Sequence, residues 1–581
     1  MTQVARAVLV ATAVCAAAIS LYPASVAHST VAKASKKNPT AMREPTIRQM
    51  IVKLRNPKAI ELVQPLGAER VAALSTRAGV SMRAHRAMSG GASVLRLDTP
   101  LKLSDAKAAA ARMAVDPDVL YAEPDMPVRA FTVPPDASYS VREWHFFAPS
   151  DAYTDRALDG TGNKQVPATG GANLPGAWAV TQGLTSVVVA LVDSGVTLAH
   201  PELSAPGVLL PGYDFVSSNA GGLPTNFVAN DTNGRDPDPT DPGDWVTAAE
   251  KTDATTGPAC DDGATGQTDS SWHGTHMAGT IVGQWGNGVG TNPPAGTSTA
   301  GIAPNARLLP VRALGKCGGT SSDVADGIVW AAGLPVPGVP ANPNPARIIN
   351  LSLGSTGSTC SATYNSAIVA VAAQALVIAA SGNDGVLGVS EPANCAGVLA
   401  VTAHTINGDN ADYANIGPEV GISSPGGGTS TQLVTAPAIV DTDIGFYTWS
   451  SILFGATTPT STETGGARSG PAIGGFTGTS GATANVSGVA ALVLSAKPSL
   501  TPTELRAVLV GHVRAHPAGG FCATGQPNAA NCGTGLLDAS AAVGSVAPPP
   551  SGGGGGGGAV PLAQLLLLGL LALLPRLRQR T

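Results

Sequence analysis

The sequence predicts an α/β fold, a mostly parallel sheet with helices on both faces, preceded by a small α+β domain. Three observations predict it. From residue 187 to 402, short apolar β-branched runs alternate with stretches of helical length, as strands buried on both faces of a sheet do. From 46 to 125, segments alternate in the order strand, helix, strand, helix, strand, which describes one compact module. Composition agrees: with 71 glycines in 581 residues, 13% charged and 4% aromatic, the chain packs by small side chains and exceeds one ordinary domain. The formal net charge is −5 and no basic stripe crosses the central region, which argues against a nucleic-acid partner.

Residues 1–27 carry Arg6, an apolar run over 7–21, and Ser25-Val26-Ala27 with small residues at cleavage-site spacing. They read as a secretory signal peptide, because the run is too short and Ala-rich for a permanent span. Residues 28–45 are rich in Lys, Ser and Ala. The module follows, with a strand over 46–55, a helix over 59–78, a strand over 93–98, a helix over 104–114 and the segment VLYAEPD. Residues 130–149 contain prolines and read as an exposed connection, in which His145 is structural.

The main domain extends to about residue 546. Its strands are expected at 187–193, 307–311, 348–352, 376–380 and 398–402, and its helices at 323–332, 364–374 and 503–513. Three stretches in it carry chemistry. In GFTGTSGATANVSGVAAL (475–492) a Gly-rich turn delivers Ser480 onto the start of a small-residue helix. In SVVVALVD (186–193) a buried strand carries Asp193 at its carboxyl end, where open α/β sheets place ligands. In SWHGTHMAGTI (271–281) His273 opens a helix. Alone, each has an ordinary reading: a helix cap for Ser480, an ion-pair partner for Asp193, a structural ring for His273. Together they supply a nucleophile, its base and the carboxylate that orients the base.

The motifs VALVDSGV, HGTHMAGT and GTSGATANVSG, in the order Asp, His, Ser, resemble the three active-site motifs of subtilisin-like serine proteases. Two more stretches extend the likeness. AASGND (379–384) carries Asn383 at the position of the family's oxyanion-hole asparagine, and NLSLG (350–354) matches the strand lining the substrate cleft, with Ser352, Leu353 and Gly354 as substrate-binding residues. The resemblance implies a serine endopeptidase acting on proteins or peptides through Asp193, His273 and Ser480, with no cofactor for catalysis. It makes His273, the first histidine of HGTH, the base, and leaves His200 and His276 as packing residues. It implies that residues 28–130, with the module at about 46–129, are an inhibitory propeptide and intramolecular partner of a catalytic domain over 131–546; the module's pattern alone would equally fit an independent binding domain. Asp384 matches an acidic position at the base of the primary specificity pocket and would favour basic side chains. One departure stands out: where the family has Met, a small pair and Pro-His after the serine, this chain has Gly481, Ala482-Thr483 and Ala484-Asn485.

Outside Cys15 of the signal segment, six cysteines form an even set suited to an oxidising compartment. Sequence proximity and the resemblance to secreted bacterial proteases imply the pairs Cys260–Cys317, Cys360–Cys395 and Cys522–Cys532. The insertion NDTNGRDPDPTDPGDW (230–245) crowds Asp236, Asp238, Asp241 and Asp244 among Pro and Gly. It reads either as a structural calcium site, since hard oxygen ligands in a turn suit that ion, or as a solvated acidic loop. A second insertion, 426–475, is rich in Thr, Gly and Ser and carries no readable role. The chain closes with a Pro/Gly-rich linker (547–558) and a tail (559–581) made of an apolar run over 559–574 and Arg576, Arg578 and Arg580. The tail resembles the Gly-rich C-terminal sorting signals of Gram-negative secreted proteins. It implies transient inner-membrane anchoring, with the export machinery and a tail-processing protease as partners.

Overall fold

The computed structural model describes residues 46–130, 143–155, 164–217, 223–260, 262–264, 266–285, 299–355, 359–430, 447–458 and 470–547. The expected signal peptide, residues 28–45, most of the 547–558 linker and the tail lie outside the described residues.

The N-terminal module is an antiparallel sheet carrying two helices. Its elements are β1 (Thr46–Leu54), α1 (Ala68–Ala78), β2 (Met82–Ala87), β3 (Ala92–Lys102), α2 (Leu103–Ala114) and β4 (Val119–Pro124), in the sheet order β2-β3-β1-β4. The expected helix over 59–78 is divided: a 3₁₀ turn at Ala59–Leu62 is followed by α1, with Gly67 extended as its N-cap. Pro65 disfavours helical geometry in the residue before it, so the helix cannot run through. Strand β2 is an addition to the expected order. Its sequence MRAHRA lacks the apolar alternation of a half-buried strand, and it forms as an edge by pairing with β3. The two-residue strand period divides β1 between two cores: Met50 and Val52 join Leu95 and Met113 inside the module, while Ile51 joins Val94 in the core of the larger domain.

A short strand, β5 (Pro127–Ala130), leaves the module. The larger domain is built on β6 (Val188–Asp193), β7 (Tyr213–Asp214), α3 (His273–Val282), β8 (Arg307–Arg312), β9 (Gly319–Thr320), α4 (Ser321–Ala331), β10 (Ile348–Leu351), β11 (Leu353–Gly354), α5 (Ala362–Val371), β12 (Leu376–Ala380), β13 (Leu399–His404), β14 (Val420–Pro425), β15 (Thr448–Phe454), β16 (Gly470–Phe476), α6 (Thr479–Ala496), α7 (Pro502–Gly511), β17 (Val513–Arg514), β18 (Leu536–Leu537) and α8 (Ala539–Val546). The nine-stranded sheet runs β17-β18-β14-β13-β12-β10-β6-β8-β7 and is parallel except between β17 and β18. Alternate residues of β6 feed opposite layers: Val189 and Leu191 meet Met277 and Val489 of α3 and α6, and Ala190 and Val192 meet Ile328 and Ile368 of α4 and α5. Both faces are covered, which is why these strands read as continuous apolar runs.

The insertion over 426–475 contains the antiparallel pair β15–β16, in register from Thr448–Phe476 to Phe454–Gly470. All three expected disulfides are formed, with Cα–Cα distances of 4.8, 5.0 and 5.9 Å for Cys260–Cys317, Cys360–Cys395 and Cys522–Cys532. The first has a sequence separation of 57 residues. On loop-closure entropy alone, opening it with Cys260→Ser and Cys317→Ser costs about 4 kcal/mol. A urea midpoint unchanged in the double variant would contradict this.

Candidate active site

Asp193 ends β6 in the middle of the sheet and is fully buried. Its Oδ1 accepts from the Ser194 backbone N–H at 2.7 Å and lies 2.7 Å from Nδ1 of His273. A carboxylate can only accept, so the proton of a neutral ring sits on Nδ1 and Nε2 keeps its lone pair. That Nε2 is buried and has no hydrogen-bond partner. Close approach of α3 to the chain after β6 requires glycine at 274, where a Cβ would stand 2.0 Å from the Gly195 carbonyl oxygen. Trp272, in the left-handed region at φ 49°, caps α3, and its ring nitrogen donates to Gly455 O at 3.1 Å.

The second insertion has a place here. Ile452, Leu453 and Phe476 of β15 and β16 pack around Trp272, and the Phe476 ring stands edge-on to His273 with centroids 6.4 Å apart. The hairpin is the apolar wall behind the imidazole. His276 meets the same Phe476 ring at 4.1 Å and lies 3.3 Å from Gly474 O through Nε2. Burial, then the neighbouring His273, pushes it down to about 3, so it stays neutral and structural. His200 is likewise held within the fold, its Nε2 being 3.2 Å from Ile452 O.

Ser480 is the second residue of α6 and is buried. Its Oγ donates to Ser352 O at 3.1 Å, and Ser352 Oγ donates to Ser480 O at 3.0 Å. Asn350 Nδ2 donates to Ser352 Oγ at 2.9 Å, and Ser487 Oγ donates to Asn350 Oδ1 at 2.8 Å, so the NLSLG strand and α6 are fastened together behind the serine. The structure thus joins Asp193 to His273 and Ser480 to Ser352, while Nε2 of His273 is not bonded to Ser480.

Asn383 is oriented unambiguously. Its Oδ1 accepts from the Thr479 backbone N–H at 2.9 Å and from Thr479 Oγ1 at 2.8 Å, which identifies the oxygen end and leaves Nδ2 buried without a partner. Asp384 is exposed, and its Oδ2 accepts from Asn415 Nδ2 at 3.0 Å. Leu353 and Gly354 pair with Ala130 and Arg129 of β5, whose other edge pairs with Gly319 and Thr320 of β9. The end of the module therefore lies as the central strand of a three-stranded sheet along the candidate cleft.

Each of the four insertion carboxylates accepts hydrogen bonds from nearby groups, and no calcium site is shown at them. Asp236 accepts from the Asp238 N–H and from Asn233, Asp238 accepts from Thr240, Asp241 from Ser194 and Gly243, and Asp244 from Ser271. Among the described residues, no group of three or more His, Cys, Asp or Glu is placed to hold a metal ion. Nor is any helix among them long and apolar enough to cross a membrane; the apolar run over 559–574 lies outside them.

A model of the subtilase family matches residues 185–532. The chain belongs to the subtilase family. It is therefore a serine endopeptidase, acting on proteins or peptides by a reaction that needs no catalytic cofactor. This subtilase is 37% identical over 493 residues to an extracellular protease of Xanthomonas campestris pv. campestris, covering 84% of this chain and 70% of that protein. It is 34% identical to an extracellular basic protease of Dichelobacter nodosus, covering 75% of this chain and 59% of that one. Among solved structures, a protease of Pseudoalteromonas arctica PAMC 21717 is similar with a TM-score of 0.52 and 39% identity, over 65% of this chain and 95% of the other.

Proposed function

We propose that this subtilase is a secreted endopeptidase, made as a zymogen, that cuts peptide bonds through Asp193, His273 and Ser480. The observation that carries the reading is the 2.7 Å contact of Asp193 with Nδ1 of His273, which leaves Nε2 free to accept a proton. Rotation of the Ser480 hydroxyl from Ser352 O to that nitrogen starts the reaction. His273 takes the proton as Oγ attacks the substrate carbonyl, and returns it to the leaving amine. The oxyanion develops against the Asn383 Nδ2 and the Ser480 backbone N–H, which lies in the first turn of α6, where helical N–H groups lack intrahelical acceptors. Water then releases the acyl group from Ser480. Labelling of the matured protein by a fluorophosphonate, together with casein digestion, tests this; a folded protein that does neither would refute it and favour a non-catalytic binding protein on the same fold.

The domain reading follows. Residues 1–27 are the export signal, 28–130 the propeptide, 131–546 the catalytic domain, 547–558 a linker and 559–581 a sorting tail that anchors transiently in the inner membrane. Secretion accords with the extracellular relatives. Three contacts support the propeptide role. β5 occupies the cleft as a strand, as a substrate would. Glu123 accepts from the Ala362 and Thr363 N–H groups at 2.6 Å, and Asp125 from the Ser322 N–H at 3.0 Å, so two propeptide carboxylates hold the N-termini of α5 and α4. Arg86 meets Asp326 at 2.6 Å and Asp323 at 3.2 Å.

Burial pushes the Asp125 carboxyl up to about 7, against the bonds from Ser322 that pull it down. Its ordinary value is about 3.9, so the docked propeptide binds more protons than the unfolded chain between about pH 4 and 7. The contribution is fully present below about pH 4 and is lost as pH rises through about 7. In the uncut full-length Ser480→Ala protein, the melting temperature should fall more steeply from pH 5 to pH 8 with Asp125 than with Asp125→Asn. Parallel profiles would remove Asp125 from the account.

A further inference from the structure

The segment 230–245 delivers two carboxylates behind the Asp193–His273 pair. It is fastened to the chain just after Asp193: the Val196 N–H donates to Pro239 O at 3.1 Å, and the Asp241 N–H to Val196 O at 3.3 Å. Asp241 is buried, and its Oδ2 accepts from Ser194 Oγ at 2.9 Å; Ser194 Oγ in turn accepts from the Gly274 N–H at 3.1 Å. Three residues on, Asp244 Oδ1 accepts from the Ser271 N–H at 2.6 Å and Oδ2 from Ser271 Oγ at 2.7 Å, and that hydroxyl accepts from the His273 N–H at 3.3 Å. Two relays of the same kind, each carboxylate to serine to backbone N–H, thus end on consecutive N–H groups in the first turn of α3. Those groups have no acceptor inside the helix, and negative charge there is favoured.

We infer that Asp241 and Asp244 are positioning residues for the reaction, holding the first turn of α3, and with it the His273 ring, against Asp193. The inference rests on the triad reading. The two carboxylates act from opposite sides of the turn: one through Ser194, next to the orienting aspartate, the other through Ser271, next but one to the base. Burial, then the neighbouring Asp244, pushes the Asp241 carboxyl up to about 7, against the pull of Arg312, which is itself fully buried and ion-paired with Asp214 and Asp231. The charged and titratable groups facing His273 are Asp193 from β6, Asp244 from the insertion and His276 from its own helix. Asp244 is the second of two carboxylates there, and its charge favours the imidazolium that forms as Ser480 loses its proton.

The test uses the matured full chain, a short chromogenic peptide, and active sites counted by fluorophosphonate titration. Asp241→Ala and Asp244→Ala should each lower kcat per titrated site by about 10²-fold, the loss that a misplaced catalytic group brings, with KM within about twofold. Asp244→Asn keeps an acceptor for Ser271 and should recover most of kcat. It removes the charge, so the acid limb of kcat/KM should move to lower pH. A purely structural role would reduce the number of titrated sites and leave kcat per site and the acid limb in place; that result overturns the inference. If the alanine variants do not fold, Asp244→Asn alone decides through its acid limb. A parent protein that fails to label sinks the triad reading itself, whereas a labelled parent with unaltered variants sinks this inference alone.

Discussion

Ser480→Ala is expected to abolish fluorophosphonate labelling and to lower kcat by about 10⁶-fold, the loss seen in subtilisin itself when its triad serine is removed. The residual rate would be that left by oxyanion stabilisation and binding, roughly 10³–10⁴ over water. The geometry separates this loss from unfolding. Ser480 Oγ donates to Ser352 O, and Ser352 remains fastened through Asn350 and Ser487 when that bond is gone. The stability cost is therefore about 1 kcal/mol, small against a typical folding free energy of roughly 5–15 kcal/mol. If the chain processes itself, the variant also stays at its uncut length on a denaturing gel. Labelling that survives in Ser480→Ala would place the nucleophile elsewhere.

Asn383→Ala should lower kcat by roughly 10²–10³ and leave KM nearly unchanged, the size of the effect that removal of the corresponding amide has in subtilisin. The physical reason is visible in how the amide is held. Thr479 donates twice to Oδ1, from its backbone N–H and its hydroxyl, and this fixes the direction of an Nδ2 that has no other partner. A donor fixed before reaction contributes most where charge appears only in the transition state, so the loss falls on kcat. A variant that raises KM with kcat intact would show that the amide binds substrate and not the oxyanion.

Much of this architecture was legible in the residues because it depends on local patterns. The apolar runs that became β6, β10 and β12 are buried on both faces, and such strands look alike in any parallel sheet. The stretch TIRQMIVKL reads as a strand for the same reason, whereas MRAHRA does not, since an edge strand needs no apolar alternation to pair with a neighbour already in place. The chain from 426 to 475 was illegible. Its Thr, Gly and Ser carry no period, and β15 and β16 exist because Thr448 through Phe454 find a partner strand and because Phe476 and Ile452 cover Trp272.

The sequence by itself determined the family, the order Asp193, His273, Ser480, and the presence of Asn383 and of Ser352, Leu353 and Gly354, because each belongs to a short motif whose residues are neighbours in the chain. Only the tertiary structure decided which groups the carboxylates of 230–245 meet. Four aspartates among prolines have the same spacing whether they surround a cation or cap separate backbone groups. The outcome depends on what comes within about 3 Å of them, the reach of a hydrogen bond. Here that is Ser194 and Ser271, 47 and 27 residues away in the chain, brought there by the packing of α3 against β6.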